Sequence, residues 1–213
     1  MRPIKVGPLA PITALATAFN DETFNSTGAA TAVQVTATTD GLAHKVTLVA
    51  PVQATLAGIT FTIVGTDAND LALTETGLVG PGSGATVTGT KHFKTVATVK
   101  PSATMGALVV SVGIAAESVG AMIPLEWRSS AGAAMTLQIT GTINFTVEET
   151  YGNPFTTAIE DLPWVAISAL SAKTATTSGV GTVGAQAVRV KTNTVTNGAT
   201  FTHYISQASG YVL

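Results

Sequence analysis

"MTLQITGTINFTV", Met135 to Val147, decides the fold class. Met135, Leu137, Ile139, Ile143, Phe145 and Val147 fall on one parity, and Thr136, Gln138, Thr140, Thr142, Asn144 and Thr146 fall on the other. A period of two places successive side chains on opposite faces of a strand, so one face is apolar and the other is lined with polar side chains, mostly threonine. Gly141 stands on the apolar parity without a side chain. A bend or bulge is expected there, giving two short strands or one curved strand.

The same period recurs outward from this stretch. "HKVTLVA" alternates through Val46 and Leu48, "ITFTIV" through Ile59, Phe61 and Ile63, "AVRVKTNTV" through Val188 and Val190, and "TFTHYI" through Phe201 and Ile205. "TVTGTKHFKTVATV" changes parity after Phe93, which predicts a bulge or a break. Threonine, 37 of 213 residues, is β-branched and suits half-wet pleated faces. No segment reads as an amphipathic helix; "TTAIEDLPWVAISALS" comes nearest, and Pro163 cuts it. "DAND", "GPGSGA" and "KPSATMGA" mark the turns of a meander, and "SAKTATTSGVGTVG" reads as a long loop. These signals predict an all-β chain of two β-sandwich-like units with an extended N-terminal arm. The arm is expected over residues 1–35, the first unit over 36–116 and the second over 117–213.

Composition narrows the function classes. Charged residues are 10 % of the chain, against about 25 % in ordinary globular domains. Hydrophobic residues reach 46 %, enough for a core. A weakly charged surface is a poor solubility device. It suits a chain packed against its neighbours, so a homo-oligomer is expected. The net charge of −2 and the lack of a basic cluster argue against nucleic acid, which needs Lys and Arg to displace counterions. With no cysteine there is no disulfide, no thiolate nucleophile and no zinc–thiolate site. The longest apolar run, "ALVVSVGIAA", falls short of the roughly 20 residues that span a bilayer, so no membrane partner is expected. Pro8 and Pro11 make "MRPIKVGPLAPITALATAF" an extended arm or first strand rather than a signal peptide.

Candidate chemistry meets a plainer reading at each place. Asp67, Asn69 and Asp70 invite a calcium loop, but counting from Asp67 puts Ala72 at position six and Leu78 at position twelve, where Gly and Glu are needed. A hairpin turn is expected, because Asn and Asp tolerate the left-handed backbone that tight turns need. Glu148-Glu149 and Glu160-Asp161 are sequence neighbours whose side chains point apart on a strand, and they read as solvated strand ends. His44, His92 and His203 have no metal-ligand spacing. His203 shares parity with Phe201 and Ile205, so a satisfied, partly buried histidine is expected. Trp127 and Trp164 read as core or subunit-interface aromatics. Glu126 and Arg128 bracket Trp127 and suit an inter-subunit ion pair, though a rim pair is worth under about 1 kcal/mol. No catalytic residue, metal or cofactor is expected, and the chain reads as no enzyme.

The run "ITFTIVGTDANDLALTETGLVGPGSGATVTGTKHFKTVATVKPSA" resembles a module common in structural proteins of tailed bacteriophages. In that module F-T-(I/V)-x-G-T-D-x-x-(G/N)-x-x-x-T-E-T is followed by a Gly-rich turn and K-x-F-K-T-V. A second pattern, "MRPIKV" followed later by "IPLE" and "GTINFTVEETYGNPF", also resembles phage virion proteins. Here Tyr151, Gly152 and Asn153 stand where that pattern carries an aromatic and an acidic pair. In shorter relatives the arm lies close in sequence to this segment. The resemblance thus implies that the first unit is inserted into the second and that Arg2 to Val6 pair as a strand with the later domain. It implies a many-copy virion part, a capsid-decorating or neck/tail component made in the host cytoplasm, contacting copies of itself and other virion proteins. Arg2, Ile4, Val6, Trp127 and Trp164 are the interface candidates. The rivals are a secreted adhesin or carbohydrate-binding module, which requires export and exposed aromatics, and a β-sandwich hydrolase or lyase, which requires clustered carboxylates or a basic, Tyr-bearing cleft.

Overall fold

The computed structural model describes residues 2–23, 31–32, 36–50, 52, 55–105, 109–129 and 131–207. The chain divides into two compact units. One is continuous, Ala14–Ala116, and is called the inserted unit below. The other, the split unit, joins Met1–Thr13 to Glu117–Leu213. In chain order, β1 (Arg2–Leu9) opens the split unit. The inserted unit follows with β2 (Leu15–Thr23), β3 (Thr31–Ala32), β4 (Ala43–Val49), β5 (Thr60–Thr66), β6 (Ala72–Val79), β7 (Thr86–Phe93), β8 (Thr95–Pro101) and most of β9 (Val109–Val119). The split unit resumes with β10 (Ile123–Pro124), β11 (Ala134–Thr140), β12 (Ile143–Thr150), β13 (Trp164–Ala166), β14 (Thr177–Val180), β15 (Ala187–Val195) and β16 (Thr200–Gln207). All described pairings are antiparallel, and no α-helix occurs among the described residues. The fold is all-β and sandwich-like, as the alternation predicts.

In the split unit, one sheet has the order β1-β16-β11-β14, and a second has β13-β12-β15 with β10 also on β15. The stretch that decides the fold class links the two. β11 ends at Thr140 in the first sheet and β12 starts at Ile143 in the second. The crossing is possible because Gly141 takes φ +82°, and a Cβ there would lie 2.9 Å from the Ala199 side chain. Ala199 belongs to the neighbouring crossing between β15 and β16, and Thr196 N donates to Thr142 O at 3.0 Å. Both sheets keep their apolar parity inward. Met135 and Leu137 of β11, Phe145 and Val147 of β12, Val188 of β15, and Phe201 and Ile205 of β16 are buried. Each such side chain contributes about 1.5–3 kcal/mol on leaving water.

The inserted unit follows the same plan. One sheet is β3-β8-β5-β6, and the other carries β2 on β9, then β4 and β7. The parity change after Phe93 is the passage from one sheet to the other, since β7 ends at Phe93 and β8 starts at Thr95. Phe61, Ile63, Val96 and Val99 on one side, and Val46, Leu48, Phe93 and Val112 on the other, are fully buried.

Two expectations are corrected here. Residues 1–35 are not one arm: the chain changes unit after Thr13, and β2 and β3 belong to the inserted unit. The segment nearest to a helix pattern forms no α-helix, as expected, and holds two 3-10 turns, Ile159–Asp161 and Ser168–Leu170, around β13. The small-residue loop contains the edge strand β14, where Gly179 admits Leu170: a Cβ at Gly179 would lie 2.8 Å from Leu170 Cγ.

Candidate functional site

The segment from Ile59 to Ala103 forms β5 to β8 of the inserted unit. Its polar residues engage one another. Asp67 to Leu71 form the hairpin loop between β5 and β6, with Asp67 N donating to Leu71 O at 2.9 Å and Asp70 N to Asp67 O at 3.1 Å. Asp67 is buried, and its Oδ1 accepts from Asn69 N at 2.8 Å and Leu71 N at 3.0 Å. Asp70 takes the left-handed backbone at φ 65°, as the turn reading expects of this dipeptide. The Asp67 carboxylate thus holds the turn's own amide groups.

The distant half of the motif returns to this turn. Lys94 Nζ lies 2.8 Å from Asp70 Oδ1, Lys94 N donates to Thr66 O at 2.9 Å, and the Thr66 and Thr95 hydroxyls are 2.7 Å apart. Gly65 lets the strands approach: a Cβ there would lie 1.9 Å from Thr95 O.

Glu75 of the T-E-T step makes the second link. It shares the parity of buried Leu73 and is itself buried. Its Oε1 accepts from Thr90 N at 2.7 Å and the Thr90 hydroxyl at 3.0 Å, and its Oε2 from Lys91 N at 3.3 Å. Gly89 leaves the space, since a Cβ there would lie 2.6 Å from Glu75 Oε2. β6 and β7 are the outermost strands of different sheets, so the carboxylate takes backbone donors of β7 that a further strand would otherwise take. A shallow cavity of about 320 Å³ lies over this seam, lined by residues 74–79 and by Thr90 and Lys91.

The split unit holds three buried polar groupings. Arg189 is buried, its Nε 2.8 Å from Glu148 Oε2, its Nη1 3.5 Å from Glu160 Oε1, and its guanidinium 4.3 Å from the Trp164 ring. Glu149, on the other face of β12, accepts from Thr182 N at 2.8 Å, from the Thr182 hydroxyl and from the Tyr151 hydroxyl at 3.1 Å. The reading of Glu148, Glu149 and Glu160 as solvated strand ends is thereby corrected. These carboxylates are sheltered because Arg189 and the segment around Thr182 supply donors. His203 is also more buried than expected, at 1 % exposure. Its Nε2 finds no hydrogen-bond partner among the described residues. Burial lowers its pKa from 6.5 to about 4.

The interface candidates are spread over the split unit. Arg2, Ile4 and Val6 lie in β1 and pair with Gln207, Ile205 and His203 of β16. Ile4 is 39 % exposed and Val6 is half-buried. Trp164 packs against Met122, Ile159, Leu162 and Ala187, and its indole donates to Ile159 O at 2.9 Å, so it belongs to the unit's own interior. Trp127 is 54 % exposed in a turn that Gln207 clamps through Glu126 N at 2.7 Å and Glu126 O at 2.9 Å. Glu126 does not pair with the Arg128 side chain; it accepts from Arg128 N, while the guanidinium sits 5.0 Å from the Trp127 ring.

No family model, no curated protein and no solved structure matches this chain. The functional reading therefore stands on the residues themselves. Elsewhere in the inserted unit, His44 is buried between Asp40 Oδ2 at 2.9 Å and Ala115 O at 2.8 Å. The four polar clusters, at Asp67, Glu75, Glu149 and Arg189, each tie one strand or turn to another. Asp67 was signalled by its turn motif, Glu75 by the parity of Leu73 and Glu149 by the parity of Val147, whereas Arg189 had no such signal.

Proposed function

We propose that this chain is a non-enzymatic structural component of a tailed-bacteriophage virion, a many-copy capsid-decorating or neck/tail ring part that acts through packing of its β-sandwich units. The observation that carries the reading is the mutual engagement of the module's own motif residues. Asp67, Glu75, Lys94 and Thr95, residues that give the resemblance its pattern, all serve turn and strand contacts. A motif built for architecture is what a structural module requires. The chain's low charge and its exposed Val79, Trp127, Val165, Val180 and Val183 add a surface suited to neighbours. In a closed ring, modest apolar contacts repeat with every subunit.

Quantitative mass spectrometry of purified particles tests this directly. The chain should appear at tens of copies or more per virion, and its absence from particles would sink the reading. Exposed Trp127 favours one rival, a carbohydrate-binding module, because an aromatic ring flanked by a cation can stack on a sugar. Glycan-array binding that disappears in a folded Trp127→Ala variant would support that rival.

A further inference from the structure

We propose that β1 is exchanged between copies of this chain, so that in an assembly β1 of one copy pairs with β16 of a second. The proposal rests on the many-copy reading above and names its contact. β1 belongs to the split unit only as an edge strand, hydrogen-bonded to β16. In sequence it is separated from the rest of that unit by the whole of Ala14–Ala116. The four residues from Ala10 to Thr13 carry it into the inserted unit, and Pro11 biases this connection toward extended backbone. A strand on a stiff, extended tether has the geometry for exchange.

The seat on β16 is selective for this segment. Ile4 lies opposite Ile205, Lys5 opposite Tyr204 and Val6 opposite His203. Lys5 Nζ is 5.9 Å from the Tyr204 ring. Gly7 takes φ +108°, and a Cβ there would lie 2.7 Å from Phe201 O. A strand with a side chain at that position does not seat without a shift, so the occupant that fits is a β1, the chain's own or a neighbour's. Every contact is the same in both cases. The choice then depends on the effective concentration of the two candidates, and close packing in a many-copy ring raises that of the neighbour. A bare β16 edge would leave unpaired backbone groups beside the buried Phe201, His203 and Ile205, so each seat must be filled.

The chain has no cysteine, which makes a cross-link test clean. Lys5 and Tyr204 are directly opposed on the exposed face, and opposed β-strand residues lie within disulfide reach. Lys5→Cys and Tyr204→Cys variants are made separately, mixed, assembled at high concentration and oxidised. A disulfide between positions 5 and 204 in that mixture can only join two chains. Exchange predicts this link, read by peptide mass spectrometry, at about one seat in four of an equimolar mixture, since a seat needs both a Cys at 204 and a neighbour's strand with a Cys at 5. The double Lys5→Cys/Tyr204→Cys variant reports that the seat is formed, by closing the same link within one chain or between chains. A closed link in the double variant with none in the mixture overturns the exchange. Light scattering of the parent chain is read separately: oligomers without a 5–204 link between chains remove the exchange and leave the many-copy reading standing.

Discussion

The two units share a plan of paired antiparallel sheets and differ in how they are closed. The inserted unit is one continuous stretch, and it fastens its seam with side-chain carboxylates, Glu75 onto the backbone of β7 and Asp67 onto its own turn. The split unit gathers a strand from the far side of that insertion; its carboxylates Glu148 and Glu149 sit on the interior strand β12, while its edge strand β1 is held by register on β16. A continuous unit can satisfy edge donors locally. A discontinuous unit must hold its edge by burial and register.

The largest expected effect strikes the apolar interior of the split unit. Phe145 is fully buried, and Phe145→Ala should cost about 3–5 kcal/mol in denaturant unfolding. Amide exchange should rise in β11, β12, β15 and β16 and hold in β5 to β8. An equal rise in both units would break the comparison. Next comes acid. His203 has its folded pKa lowered to about 4 from 6.5, so between these values the unfolded chain binds the proton that the folded chain refuses. Stability is complete above pH 6.5, falls as pH drops toward about 4, and flattens below. The full span is about 3 kcal/mol. His203→Leu should remove that slope without moving carboxylate-linked losses at lower pH, and an unchanged slope would clear His203 of the effect.

Third is the polar seam. Glu75→Gln replaces an acceptor of three contacts with an amide that meets backbone donors with a donor of its own, costing about 1.5–3 kcal/mol. The amides of Thr90 and Lys91 should lose exchange protection first. If they stay protected, the carboxylate is not what closes this edge. The smallest effect belongs to Lys94→Ala. Asp70 is 65 % exposed in that ion pair, so the loss should stay within about 1 kcal/mol by thermal melting, because Lys94 N keeps its bond to Thr66 O.

Parity in the sequence revealed the strands that bury large side chains. The break after Phe93 and the corner at Gly141 were legible because a residue without a side chain or a change of phase interrupts an otherwise regular face. β14 was not legible, because Ser178 and Gly179 are small for a reason outside their own segment: Leu170 fills the space above Gly179. Arg189 sits opposite the parity of Val188 and Val190 and reads as solvent-facing. The covering residues Trp164 and Glu160 come from a segment without regular alternation, so its burial could not be seen locally. The pairing of Arg2 to Val6 followed from resemblance, not from period, since alternation names a strand and leaves its partner open.

The position of β1 also sets an order of events in time. During synthesis Ile205 is made about 200 residues after its partner Ile4. At about 5–20 residues per second, β1 waits roughly 10–40 s for β16. All of Ala14–Ala116 emerges in that interval and can finish folding first. On a messenger read by several ribosomes, newly made chains therefore hold unpaired β1 strands side by side before any of them owns a completed seat.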